Sequence, residues 1–467
     1  VFHAERVRGV FMKKHVKKEL FRLVGQGRAS DAPEDLVAYS YDPHIVEKRP
    51  DVVIFPITTE EVSAVMKVAH REAIPVVARG SGTNLAGETI PIGGGIVLAL
   101  SKMDQILDID PRNRVAKLQP GVVNYDFQQE VEKYGLMYPP DPSSWKIATM
   151  GGTVATNAGG PKTLKYGVTR DYLLGLTVVL ANGDILKTGG KAIKNVTGYD
   201  LTRLMCGSEG TLGVITEIIV RLIPKPRASR TIRADFPKLE DSSNAVAEII
   251  EQGIVPAGLE LMDRVVISAV EADTGMGLPV DVDAILLVEV DGDPEALENQ
   301  VKRIEEVLHK NKAVGVFAAR DEAEAERLWS ARRAAFSAMA RLRPNALIED
   351  ATVPVANLTA MIRKIVEIAA RRNIQVGVLA HAGDGNLHPL ILFDQRDPEE
   401  LHRVEQAADD IFREALALGG TLSGEHGIGM VKSKFLPMEL DEVALAVSKK
   451  IKAALDPKGI LNPGKFI

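Results

Sequence analysis

A single cysteine, Cys206, stands among 467 residues. One thiol excludes an internal disulfide, and it excludes an iron–sulfur cluster held by this chain alone. Set in LTRLMCGSEG beside apolar neighbours, it is expected to be buried filler rather than a reactive group. Long apolar runs are also missing: no stretch approaches the ~18 consecutive apolar residues of a membrane span. Nor does one sign of charge dominate. Lys and Arg number 57 against 63 Asp and Glu, giving a net charge of −6 and a pI near 6.0, which argues against a dedicated nucleic-acid binder. The N-terminal VFHAERVRGVFMKKHVKKELFRLVG lacks the continuous apolar core of a secretory signal and reads as a basic amphipathic surface helix. Scarce cysteine fits a cytoplasmic protein, or one held at a membrane only through a partner.

What is present is ordinary for a soluble globular chain: 45% hydrophobic and 26% charged. The length suits two or three domains. DVVIFPI (51–57), TTEEVSAVMKVAHREA (58–73) and IPVVARGSGTN (74–84) predict a β-α-β unit, with Thr58 and Glu61 forming a capping box. GGIVLAL, QILDID and RVAKLQPG read as further strands, and VNYDFQQEVEKYG as a helix closed by glycine. Ala181-Asn182-Gly183-Asp184 is a hairpin turn. PKPRASR (224–230) marks a boundary. Beyond it, helical patterns at 239–253 and 293–310 alternate with strands such as AILLVEVDG (284–292), as in an α+β domain with an antiparallel sheet. The expected division is an N-terminal helical segment (1–50), a first domain (51–225), a second (226–430) and a C-terminal segment (431–467) returning to the first.

Glycine loops crowd the first domain. VARGSGTNLAG follows a strand, but the position where a Rossmann loop needs its third glycine is Leu85. No P-loop motif is present. Successive N–H groups in such a turn still form an anion nest, and small residues admit a pyrophosphate. With MGGTVATNAGG and GSEGTLG in the same domain, one long ligand in extended conformation is implied.

These stretches, with YPPDPSS, KYGVTRDYLLGLTVVLANGDIL and LDPKGILNPGK, resemble the FAD-binding flavoproteins of the vanillyl-alcohol oxidase and p-cresol methylhydroxylase superfamily. The likeness is strongest to its D-lactate dehydrogenase, D-2-hydroxyglutarate dehydrogenase and glycolate oxidase catalytic-subunit group, and it runs from about 35 to 467. The resemblance implies an α+β fold: a two-part FAD-binding domain plus an α+β cap domain with an antiparallel sheet. FAD would lie with its pyrophosphate on Arg79, Gly80, Ser81, Gly82, Thr83 and Asn84. Gly151, Gly152, Thr156, Asn157 and Gly159 would line the flavin and ribityl chain. Gly213, Val214 and Ile215 would approach the adenine, and Asn462 the isoalloxazine. Pro140, Ser143, Tyr166, Gly167 and Gly210 complete the expected cofactor set. The first loop offers Ser81 and Thr83 where some relatives carry a flavin-linked histidine, so FAD is expected to be non-covalent.

HAGDGNLHPL (381–390) places two histidines around a Gly-Asp-Gly turn, and GEHG follows at 424–427. Imidazoles and a carboxylate suit a 2-His-1-carboxylate site for Zn, Fe or Mn, while a plain turn with structural histidines stays open. The resemblance assigns His381, His388 and Glu425 as ligands of a divalent metal and His426 as the catalytic base. It also assigns Arg332, in RLWSARRAAF, to a substrate carboxylate, with Arg333 the next candidate. Relatives acting on a 2-hydroxy diacid carry a lysine six residues before the proline of the VP strand; Ile348 stands there. The implied enzyme is an FAD- and metal-dependent dehydrogenase of a small D-2-hydroxy acid, with D-lactate or glycolate favoured over D-2-hydroxyglutarate. A metal-dependent hydrolase leaves the glycine loops unexplained, and a non-catalytic flavoprotein subunit leaves the histidines without a task. Electrons from the flavin need an acceptor: electron-transfer flavoprotein, an iron–sulfur subunit, a quinone, or oxygen.

Overall fold

The protein is described from a computed structural model covering residues 12–43 and 46–466. Part of the basic N-terminal stretch, residues 1–11, lies outside the described residues. Its remainder forms the helix Lys14–Val24, which buries Val16, Leu20 and Val24. The chain divides into two compact units. One holds residues 12–159, 168–225 and 425–466; the other holds 160–167 and 226–424.

The first unit contains a four-stranded sheet ordered Ala29–Ser30, Val52–Ile54, Ile96–Ala99, Val76–Arg79. The last three strands are parallel, as a β-α-β crossover requires. The crossover helix Thr59–Glu72 starts where the Thr58 hydroxyl accepts the Glu61 N–H at 3.2 Å and stops at Ala73 in left-handed backbone. Its Val62, Val65, Met66 and Ala69 are fully buried, each large side chain contributing about 1.5–3 kcal/mol. A second, antiparallel sheet runs Ile106–Asp110, Val115–Leu118, Val214–Arg221, Leu173–Val179, Ile185–Gly189. The expected hairpin joins its last two strands. Gly183 there has φ +88°, and a Cβ would meet Lys67 Cγ at 2.5 Å and the Ser63 carbonyl at 2.9 Å, so only glycine fits. Cys206 is buried, and burial pushes its thiol up to about 11.

The C-terminal helix Glu442–Leu455 is capped by Asp441. The chain then turns on the Asp456 carboxylate, which accepts from Ile460 N and Leu461 N, so that Leu461 bridges to Val76. This return places Asn462 at the first parallel sheet.

The second unit is built on an eight-stranded antiparallel sheet. Its main path is Gly315–Ala318, Ala228–Phe236, Ala284–Gly292, Gly258–Asp263, Gln375–His381, Asn386–Phe393, Asn345–Ile348, with Ala351–Thr352 also pairing Asn386–Phe393. Alternate residues face two separate cores. Leu259, Leu261, Val378, Ala380, Leu387 and Ile391 pack under Leu239–Glu251, Pro294–Lys310, Leu358–Arg372 and Pro398–Ala417. Met262, Leu379, Leu390 and Leu392 face the opposite way, beneath the helices Arg264–Thr274 and Glu322–Ala340. No helix among the described residues is long and apolar enough to cross a membrane.

Candidate functional site

In the first unit, the glycine loops gather at the C-terminal end of the strand Val76–Arg79. Arg79 is buried there, its Nη1 donating to the Tyr41 carbonyl at 2.7 Å and the Thr89 hydroxyl at 3.3 Å. Among the described residues, no backbone carbonyl accepts from the N–H groups of Ser81, Gly82, Thr83 and Asn84. A run of N–H donors in a glycine turn at the C-terminal end of a parallel strand is a fitting cradle for a pyrophosphate. The helix Met150–Thr156 carries the second loop, and Val154 and Ala155 accept the N–H groups of Gly207 and Glu209 from the third. Gly210 (φ +69°) would meet only the Ala78 Cβ, at 4.0 Å, leaving open space beside it. These features fit an extended dinucleotide.

Other expected cofactor residues also make contacts within the protein. A Cβ on Gly151 would strike Pro120, and one on Gly213 would strike Val178, so packing already demands these glycines. Val214 lies in the hydrophobic core, and Ile215 is buried beside it. Asn157 caps its helix in left-handed backbone and accepts Arg170 N; Thr156 donates to Gly152 O. Gly159 closes this stretch, at the last residue before the chain enters the second unit. The Pro140 carbonyl accepts from Asn124, and Ser143 is exposed. Asn84 Nδ2 is held by Asp42 and Glu88. Asn462 spends its amide on the carbonyls of Glu88 and Glu209, and its oxygen on Lys465. Tyr166 and Gly167 pack with the second unit, where the Tyr166 hydroxyl donates to Asp291 at 2.8 Å.

Glu425 and His426 also belong to the first unit, with His426 Nε2 4.0 Å from Glu425 Oε1. Their loop is pinned just downstream: the Glu209 carboxylate accepts Ile428 N and Gly429 N, each at 2.7 Å. Burial raises the Glu209 pKa, opposed by these two N–H groups and by Lys465 and Lys432. Glu209 was not among the expected site residues, because it sits inside a motif read only for its glycines.

In the second unit, His381 ends one strand and His388 lies within the next. Register pairs His381 with Asn386 and Leu379 with His388, so His381, Asn386 and His388 share one sheet face. The turn between them needs its glycines: Gly385 has φ +80° and abuts the Val353 carbonyl, and a Cβ on Gly383 would press on Leu164 and Leu259. The two imidazoles are buried and T-shaped, 5.1 Å between centroids. Ligand atoms of His381 and His388 lie within 4.8 Å of each other, as do those of His388 and the buried Asp350.

On the other side of His381 stands Glu260, directly opposite in the sheet. Its Oε1 lies 2.6 Å from His381 Nδ1, and its Oε2 accepts Arg332 Nε at 2.7 Å with Nη2 at 2.6 Å. Burial alone would raise this carboxyl; Arg332 and His381 outweigh it and hold Glu260 below the ordinary range. A carboxylate only accepts, so Nδ1 carries the His381 proton and the lone pair resides on Nε2. His388 likewise turns Nδ1 toward the Glu349 carbonyl, at 3.4 Å. Imidazoles oriented through Nδ1 present Nε2 as a metal donor. Arg332 reaches this face from the helix Glu322–Ala340, and the neighbouring Arg333 is instead paired with Glu326 and Ser330. Ile348 is partly buried against the core on this side of the sheet.

A turn of N–H donors on a mixed α/β scaffold suits a phosphate-bearing cofactor, and the class follows from comparison with known proteins. A family model described as "FAD binding domain" matches residues 50–189, and one described as "FAD linked oxidases, C-terminal domain" matches 225–466. The chain is 47% identical over 455 residues to the glycolate oxidase subunit GlcD of Bacillus subtilis, covering 97% of each chain. It is 38% identical to the D-lactate dehydrogenase of Anaerostipes hadrus, covering 90% of each. The solved structure of p-cresol methylhydroxylase with substrate bound superposes with a TM-score of 0.80 at 18% identity, covering 98% of each chain, so the fold is shared. The chain belongs to the FAD-linked oxidase family and is an FAD-dependent oxidoreductase.

Proposed function

We infer that this oxidoreductase oxidises a small D-2-hydroxy acid, glycolate or D-lactate, to the 2-oxo acid. The observation that carries the reading is the His381–Glu260–Arg332 array, a metal-type imidazole and a buried guanidinium held by one carboxylate. The names of the relatives, glycolate oxidase subunit and D-lactate dehydrogenase, agree with it. His381 and His388 would hold a divalent ion, Zn, Fe or Mn, with Glu425 as third ligand. Glu425 follows Gly424 by one residue, roughly 3.8 Å along the chain. Gly424 itself packs on Asn386 and Thr352, and a Cβ there would meet Asn386 Nδ2 at 2.8 Å.

Bound FAD supplies the hydride acceptor, and a bound divalent ion supplies a Lewis acid that lowers the pKa of the substrate hydroxyl. The chain's own groups do the rest. Arg332 receives the substrate carboxylate through charge-assisted hydrogen bonds. His426 takes the hydroxyl proton on an imidazole nitrogen. The turn 81–84 and the loops at 151–159 and 209–215 bind the dinucleotide. Apolar Ile348 offers no second cation, which favours a monocarboxylate over 2-hydroxyglutarate. Electrons would leave to a partner, as the word subunit in the relatives' names suggests: an iron–sulfur subunit, electron-transfer flavoprotein, or a quinone.

The test is an anaerobic titration of the metal-analysed protein with D-lactate, L-lactate, glycolate and D-2-hydroxyglutarate, following the visible flavin band. Bleaching by glycolate or D-lactate is expected. A flavin left oxidised by both, with metal present, would sink the substrate reading.

A further inference from the structure

We propose that Glu260 is a shared positioning residue, one carboxylate that sets both the coordinating nitrogen of His381 and the free edge of Arg332. The proposal rests on the metal and substrate reading above and extends it to a residue that neither touches substrate nor binds metal.

Glu260 lies between apolar residues within the strand Gly258–Asp263, whose other charged residue, Asp263, stands at its end, and it is 1% exposed. Two donors face it from different elements: His381 from the adjacent strand and Arg332 from the covering helix. Both need an acceptor, and an ionised carboxylate is the side chain that offers acceptors only. With Oε1 on Nδ1, His381 keeps its lone pair on Nε2. With Oε2 across Nε and Nη2, the guanidinium turns its remaining donors, on Nη1 and the far side of Nη2, away from Glu260. Nη2 is buried and lies 2.6 Å from Glu260 Oε2, so the donors left for an incoming carboxylate are those that Glu260 does not face. One residue thereby ties metal affinity to carboxylate affinity.

Glutamine at this site separates the possibilities. Glu260→Gln keeps size and shape but offers one acceptor oxygen and one N–H2 group. If the oxygen stays with Arg332, the amide N–H2 faces Nδ1 and favours the His381 tautomer protonated on Nε2, which cannot coordinate. If the oxygen turns to His381, the N–H2 group confronts Arg332. Glu260→Asp keeps two acceptors on a shorter stem.

The experiment uses the flavin-loaded full chain. Zinc or manganese affinity is measured by competition with a chelator. KM and kcat are measured for the acid that bleaches the wild-type flavin, alongside flavin content and thermal midpoint. Glu260→Gln is expected to weaken metal binding roughly 10- to 100-fold and to raise KM, with flavin content unchanged. Glu260→Asp is expected to fall between wild type and Glu260→Gln in both. A merely structural carboxylate would lower the thermal midpoint of both variants while leaving metal affinity per folded molecule and KM alone, and that result overturns the proposal. Wild type that binds neither ion overturns the metal reading and this proposal together. Wild type that binds metal, with both variants matching it, overturns this proposal only.

Discussion

The loop carrying His426 hangs on Glu209, and Glu209→Gln tests that support directly. In the wild type the carboxylate accepts two backbone N–H groups, Ile428 and Gly429, at 2.7 Å each. Glutamine can accept one; its N–H2 then faces the other N–H, donor against donor. A hydrogen bond to a charged acceptor contributes about 1.5–3 kcal/mol. Part of that is offset, because burial already works against the Glu209 charge and the amide avoids that cost. A net loss of about 3 kcal/mol at the loop is on the order of a 100-fold change in its opening equilibrium. Since Asn462 and the helix Met150–Thr156 hold the Glu209 backbone rather than its side chain, the damage stays local. Hydrogen exchange measured by mass spectrometry on peptides spanning 424–431 reads the opening. Protection there is expected to fall on the order of 100-fold, with peptides in Val214–Arg221 unaffected and FAD retained. Substrate-driven flavin reduction is expected to slow in step. Unchanged protection at Ile428 and Gly429 would refute the reasoning, because the two hydrogen bonds to Glu209 would then carry no energy.

His426→Ala is expected to keep flavin and metal while losing substrate-driven reduction; reduction at the wild-type rate in a stopped-flow trace would remove it as the base. His388→Ala is expected to lose metal and keep flavin, and full metal content by elemental analysis would assign His388 to structure instead. Glu88→Gln is a pH test. Burial, then the charge of Glu209, raises Glu88 from an ordinary 4.5 to about 8. The folded chain therefore keeps a proton that the unfolded chain releases, and this group's contribution to stability falls as pH rises above the ordinary carboxyl range. Glutamine mimics the protonated acid and abolishes that slope. The thermal midpoint of Glu88→Gln should therefore gain on wild type between pH 5 and 8, and parallel curves would count against a protonated Glu88.

Local patterns were legible in the sequence to the extent that their causes are local. The Thr58 cap, the hairpin at Gly183 and the turn at Gly385 each depend on residues a few positions apart, and each forms as the chain predicts. The glycine loops were legible as loops but not in the role of each glycine. Gly210 borders open space, whereas Gly151 and Gly213 are forced by Pro120 and Val178 from distant segments. Residues 160–167 join the second unit through Lys165 and Tyr166 on Asp291, partners 126 and 125 positions away, and nothing in their neighbourhood announces it. Glu260 is the sharper case. Its partners lie 72 and 121 residues downstream, so no spacing rule reaches them. Yet a signal was there: one charge among the apolar residues of GLELM implies a buried ion, and a buried ion requires a partner of opposite sign. Read that way, Glu260 calls for a cation before any coordinates exist. The candidates nearest to hand in the motifs are Arg332 and the histidines of HAGDGNLH. What sequence lacks is the register, Glu260 opposite His381, that makes one carboxylate serve both.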